Sequence, residues 1–287
     1  MRVIAVFFAI LLSLPLHAET VRLGARWYEI ALPANARGAP LILALHGGGG
    51  DPDQFAKASG FARAATRAGF AVAFPAGSGR RGERLLTWNG GYCCGYAARQ
   101  DVDDIAFLKQ VITDAASRFG VDGSGVYITG MSNGSIMSET FAAQNPRLVR
   151  AVAGVSGTMD TSRVRVAGKI PALIIHGTAD GNVPYDGGQG DTSLTRTTFS
   201  SVASVVKAFL ARWGAVTETS HTIDAKDDGT SVIVTDYASG GQVVLRLMTV
   251  EGGAHHWPGG RKARLDEGKT QEIDANTEIL RFFAANP

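Results

Sequence analysis

Short apolar runs alternate with amphipathic stretches along most of the chain. Residues 41–45, Leu-Ile-Leu-Ala-Leu, are apolar at every position, the pattern of a strand covered on both faces. Residues 53–68 then place apolar side chains at helical spacing and close at Gly69, and 70–74 form a second short apolar strand stopped by Pro75. No period runs through 76–98, which predicts a long ordered loop over one edge of the domain. From Asp103 or Asp104 to Phe119, the positions Ile105, Phe107, Leu108, Val111 and Ile112 predict a helix, with acids in its first turn where the helix dipole favours them. A strand over 126–129 and a helix over 133–144 follow, the helix ended by Asn145-Pro146. Strands are predicted at 151–155 and 172–175, a helix at 198–213 closed by Gly214, β-rich runs at 231–237 and 242–250, and a last helix at 277–285.

This alternation predicts an α/β fold: a mostly parallel sheet with helices on both faces, and ligands at the carboxyl ends of the strands. Neither a Pro- or Ser-rich linker nor a repeat divides the chain, so residues 19–287 are expected to form a single α/β domain.

Composition changes this picture little. The chain has 287 residues, 45% hydrophobic and 19% charged, enough for a full core without staples. Its first residues add a destination. Arg2, an apolar run over 3–16 and His17-Ala18 before Glu19 have the order of a signal peptide, too short to span a bilayer. Residues 1–18 are therefore expected to be cleaved, leaving a secreted or periplasmic protein with no membrane span. The net charge of +2, falling to +1 without Arg2, implies no nucleic-acid partner. The two cysteines, Cys93 and Cys94, are adjacent and can bridge only to each other; the bridge and two buried thiols both remain open.

The chemistry enters with Gly130-Met131-Ser132-Asn133-Gly134, which fits the G-x-S-x-G nucleophile elbow. The string is short, and its weight comes from context: a strand precedes it and a helix follows. A serine hydroxyl is a poor nucleophile at neutral pH and needs a base, which in turn needs an acid to hold its tautomer. In chain order an elbow serine is followed by the acid and then the histidine, each beyond a strand. Asp180 stands in a Gly-bounded loop after the strand at 172–175, and His255 and His256 stand in another after the strand at 242–250. His46 and His176 sit at strand ends, where a structural role is at least as good a reading. The early loop Gly47 to Gly50 and the residue after the serine can donate backbone N–H groups to an oxyanion, through Gly48 and Asn133. No Lys-Ser or Lys-Thr follows these glycines, which argues against a nucleotide cradle, and no metal-ligand spacing is present.

Taken together, Leu45-His46-Gly47-Gly48-Gly49-Gly50, Trp88-Asn89-Gly90-Gly91-Tyr92-Cys93-Cys94-Gly95, Val102-Asp103-Asp104, the elbow, His176-Gly177-Thr178-Ala179-Asp180 and His255-His256-Trp257-Pro258-Gly259 resemble one family. It is the secreted esterases of polyhydroxybutyrate depolymerase-like type, with feruloyl and acetylxylan esterases. The resemblance implies the α/β-hydrolase fold, with Ser132, Asp180 and His255 as nucleophile, acid and base, Gly48 and Asn133 as the oxyanion hole, and no cofactor. Ser135, Ala254 and His256 depart from the residues common in such relatives. Trp88 and Trp257 could form an aromatic shelf for a phenolic acyl group or a sugar ring, with ordinary packing as the other reading.

The expected activity is two-step ester hydrolysis through an acyl-serine, on small-molecule or polymeric esters such as polyester oligomers or acylated polysaccharides. A peptidase on the same fold, or a glycan-binding relative without activity, are the alternatives.

Overall fold

The computed structural model describes residues 19–80, 82–193, 195–260 and 269–287, so the expected signal peptide over 1–18 lies outside the described residues. The all-apolar run becomes β3 (Pro40–Leu45), and its alternate residues serve two cores. Leu41, Leu43 and Leu45 join one apolar cluster, and Ile42 and Ala44 join the other on the opposite face. Each fully buried Leu or Ile contributes about 1.5–3 kcal/mol by leaving water, so a strand apolar at every position is stable only with both faces covered.

Nine further strands are described: β1 (Glu19–Leu23), β2 (Arg26–Ala31), β4 (Ala71–Pro75), β5 (Asp122–Met131), β6 (Val149–Val155), β7 (Ala172–Gly177), β8 (Thr217–Ile223), β9 (Ser231–Ser239) and β10 (Gln242–Glu251). They form one sheet in the order β1-β2-β4-β3-β5-β6-β7-β10-β9-β8. Six neighbours, β4-β3-β5-β6-β7-β10, run parallel, while the pairs at both margins are antiparallel. The carboxyl ends of β3, β5, β7 and β10 consequently open on one side of the sheet.

Helices cover both faces, as the alternation predicts. On one side lie α4 (Asp104–Phe119), α5 (Asn133–Gln144) and α6 (Val202–Leu210), and on the other α1 (Pro52–Ser59), α2 (Phe61–Arg67) and α7 (Ala275–Ala284). The remaining helix, α3 (Gly95–Arg99), is a single turn after the long loop. Asp103 caps α4, its carboxylate accepting from Ala106 N at 2.8 Å, an arrangement that stabilises a helix by about 1 kcal/mol.

Three local expectations are corrected. The helix expected over 53–68 is two helices, because Gly60 adopts a left-handed conformation (φ 67°), closes α1 through its N–H to Ala56 O and opens α2. The helix expected from 198 starts only at Val202, where the Ser201 side chain caps it, since Phe199 is paired in extended form with Gly188. The loop over 76–98 is not confined to an edge of the domain: it touches the margin, where Glu83 pairs with Arg22 of β1, and from Gly95 it has become α3. It lies across the ends of the central strands, where Gly49 donates to Leu86 O and Trp88 is held against β3 and α5.

Candidate active site

Ser132 occupies the turn between β5 and α5 with φ 57° and ψ −124°, a conformation that costs a non-glycine residue of order 1–3 kcal/mol. The surroundings hold it there: Ser132 N donates to Val155 O at 2.8 Å, and Ser132 O accepts from Ile136 N. The glycines on either side are required by close approach. A Cβ on Gly130 would strike the Gly134 carbonyl, and one on Gly134 would strike the carbonyls of Leu45 and His46 at the end of β3. The elbow therefore packs directly under the Gly47 to Gly50 loop. Gly48 faces Asn133, a Cβ built on it lying 3.4 Å from Asn133 Cβ. Asn133 is the first residue of α5, where helix geometry leaves the N–H without an intrahelical acceptor. The N–H groups of Gly48 and Asn133 are thus available side by side next to Ser132.

Asp180 follows β7 and is buried. Its Oδ1 accepts from Asn182 N and Val183 N, both at 2.9 Å, and its Oδ2 accepts from His255 Nδ1 at 2.8 Å. His176, at the end of β7, stands 3.4 Å from the same oxygen and donates Nε2–H to Val183 O. Burial alone would raise the Asp180 carboxyl, but hydrogen bonds from His176 and His255 outweigh it and hold the group well below the usual carboxylate range. Because the ionised carboxylate only accepts, His255 must carry its proton on Nδ1, leaving Nε2 as the basic nitrogen.

The two loops are stitched together. Ala179 N donates to Gly253 O, Thr178 N to Val250 O, and Gly252 N to the Thr178 hydroxyl. A Cβ on Gly177 would strike Gly253, so this seam needs glycine. Of the adjacent histidines, His255 reaches Asp180. His256 is buried and turned elsewhere, with Nδ1–H donated to Ala254 O and Nε2 accepting from Thr270 N. Ser132 and His255 line one cavity of about 680 Å³ together with Gly48 and Asn133, but make no direct hydrogen bond to each other among the described residues, a looseness common before substrate binds.

His46 is structural. It is buried, donates Nδ1–H to Gly47 O and accepts from Gly77 N on Nε2; burial pulls its pKa down to about 4. The aromatic shelf expected from Trp88 and Trp257 is absent. Trp88 is fully buried with its indole N–H donated to His46 O. Trp257 packs edge-on against Phe55 and Phe61 with its N–H on Asn276 Oδ1, and neither ring lines the cavity. Cys93 and Cys94 are paired as a vicinal disulfide beside Ile136. Among the described residues no group of three or more His, Cys, Asp or Glu side chains could hold a metal ion, and no helix is long and apolar enough to cross a membrane.

Sequence reasoning overlooked two parts of the site. The Asn133 side chain clamps the long loop, accepting from Trp88 N at 2.7 Å and donating to Trp88 O at 3.0 Å. His176 reaches Asp180, and its position four residues earlier in the same tight loop was a usable signal. A third group lies deeper in α5. Ser135, which departs from the residue common in the resembling family, donates to Glu139, which is buried and also accepts from Met159 N at 2.7 Å.

Burial pushes the Glu139 carboxyl up to about 8 from an ordinary value of 4.5. Between these values the folded chain holds a proton that the unfolded chain has lost, so this group's contribution to stability falls as pH rises from about 4.5 to about 8. Each pKa unit corresponds to about 1.4 kcal/mol. Glu139→Gln should therefore flatten the decline in melting temperature between pH 5.5 and pH 8.5 by about 5 °C or more, read by scanning calorimetry against the wild type.

Comparisons with known proteins show the family and the fold. The family model "Esterase PHB depolymerase" matches residues 27–163, a span that contains Gly48, Ser132 and Asn133 but neither Asp180 nor His255. The protein named "Putative esterase NocK" of Nocardia uniformis subsp. tsuyamanensis is 34% identical over 251 residues, covering 79% of this chain and 68% of its own length. Feruloyl esterase B of Piromyces equi is 28% identical over 76% of this chain, and the match spans only 40% of that longer protein. Among solved structures, the acetyl xylan esterase from Aspergillus awamori superposes with a TM-score of 0.61 at 16% identity, covering 93% of this chain and 99% of that one, and so shares the fold.

Proposed function

The chain belongs to the esterase family of the polyhydroxybutyrate depolymerase type, with the α/β-hydrolase fold, and on that footing we propose that it is an exported serine esterase in which Ser132 is the nucleophile, His255 the base and Asp180 the orienting acid. That it hydrolyses esters follows from the family; the serine mechanism rests on the site. The observation that carries it is the single cavity into which the elbow Ser132 and the Asp180-bound His255 both open, beside two available N–H groups.

In the first step the Ser132 Oγ–acyl bond forms, its proton passes to His255 Nε2, and the negative oxygen is stabilised by the N–H groups of Gly48 and Asn133. As the C–O bond to the alcohol breaks, His255 returns the proton to the leaving oxygen. Water, activated by the same nitrogen, then cleaves the acyl-serine and releases the acid. Asp180 stays ionised throughout and favours the imidazolium that forms twice per cycle. The signal-like residues 1–18 support export, and residues 19–287 would act as one catalytic domain. Polyester oligomers and acylated polysaccharides are the substrate classes in view.

Stopped-flow mixing with p-nitrophenyl acetate tests the two-step scheme. A burst of about one p-nitrophenol per chain should precede steady turnover. Hydrolysis of no ester, whether p-nitrophenyl acetate, methyl ferulate or a hydroxybutyrate oligomer, would refute the reading.

A further inference from the structure

The cavity holding Ser132 and His255 has a mixed lining. Ile136, Val183 and Phe199, which form a small apolar cluster with Cys93, contribute an apolar part. Arg80, Arg84 and Arg99 line the same cavity. No Asp or Glu lines this cavity among the described residues, and none of the three arginines makes an ion pair among them. The acids next to them in sequence are engaged elsewhere: Glu83 pairs with Arg22 at 2.8 Å, and Asp101 accepts from Asn89 Nδ2 at 3.1 Å. Arg80 and Arg84 lie between the paired residues Ser78 and Thr87, and Arg99 ends α3. Two separate segments thus bring three arginines without ion pairs among the described residues to the lining of one cavity. Beside them Leu85 is 65% exposed, the large apolar side chain most open to water among the described residues, and it too lines the cavity.

We propose that this lining selects esters carrying a free carboxylate a few atoms from the scissile bond, attached to an apolar body. The inference rests on the serine-esterase reading and adds the substrate's charge to it. A guanidinium matches a carboxylate with two parallel N–H···O bonds, and several cations lining one cavity also raise the local concentration of an anion. The apolar part of the lining and Leu85 match the body. A neutral polymer surface would gain nothing from three arginines, whereas the short hydroxy-acid oligomers released from a polyester end in a carboxylate.

Matched esters test this in two arms: p-nitrophenyl hydrogen glutarate against p-nitrophenyl valerate for a carboxylate on the acyl side, and 3-butyryloxybutyrate against sec-butyl butyrate for one on the alcohol side. At low ionic strength wild type should favour the anionic member in at least one arm by tenfold or more in kcat/KM. That ratio should fall at least fivefold in the R80Q/R84Q/R99Q variant, and likewise in about 1 M NaCl, where charges are screened beyond about 3 Å. Ratios near one in both arms, or a preference that survives both the triple variant and salt, would overturn the proposal while the wild-type turnover of the neutral esters left the serine mechanism standing. No turnover of any of the four esters would remove the mechanism and this inference together.

Discussion

Ser132→Ala should lower kcat on p-nitrophenyl butyrate by about 10⁵-fold while the melting temperature stays within a few degrees of wild type. The loss is large because the hydroxyl is the atom that forms the acyl bond; what survives is the stabilisation by the Gly48 and Asn133 N–H groups and by binding. The fold should be indifferent. The positive φ at this turn is held by backbone bonds to Val155 and Ile136, which alanine keeps, and both residues suffer similarly from that conformation. Steady-state kinetics beside a thermal melt checks both halves. Equal rates for the two proteins would end the proposal that Ser132 is the nucleophile.

The neighbouring histidines should separate almost as widely. His255→Ala removes the group bound to Asp180 Oδ2 and should cost about 10⁴-fold or more in kcat. His256→Ala should keep activity within about tenfold, because its ring faces Ala254 O and Thr270 N rather than Asp180; its cost should appear in stability instead, about 1–3 kcal/mol for the buried partners it leaves. Urea melts and kinetics on both variants decide the matter. An active His255→Ala protein beside an inactive His256→Ala protein would reverse the assignment.

The interior of the fold was open to sequence reading wherever burial is two-sided or helical. β3 and α5 lie within a residue of where their patterns place them, since apolar runs and a Pro stop leave little choice. The margins were not legible. β8, Thr-Glu-Thr-Ser-His-Thr-Ile, is an edge strand exposed over nearly its whole length, so no apolar alternation marks it, and it exists by pairing with β9. β1 is held by β2, and β2 in turn by β4, pairings that no local pattern announces.

The candidate site divides in the same way. Ser132, Asp180 and the pair His255-His256 could be located because each sits in a short Gly-bounded turn after a strand, and topology brings such turns to one end of a parallel sheet; only the family resemblance picked His255 from the pair. Trp88 and Trp257 stood between a shelf and ordinary packing because aromatic residues near a site look alike in sequence whether they face a ligand or the core, and their burial decides for packing. Arg80 and Arg84 lie in the aperiodic stretch and Arg99 just past it, and nothing short of the folded chain indicates that they share one cavity.

If an acyl group passes through Ser132, it can be caught there. Wild type and His255→Ala are mixed with p-nitrophenyl butyrate, quenched in acid within the first turnover, digested and mapped by mass spectrometry. One butyryl group is expected on the peptide containing Ser132 in wild type, and none within the same time in His255→Ala. Rapid ester turnover with that peptide unmodified, or with the butyryl group on another residue, would contradict it.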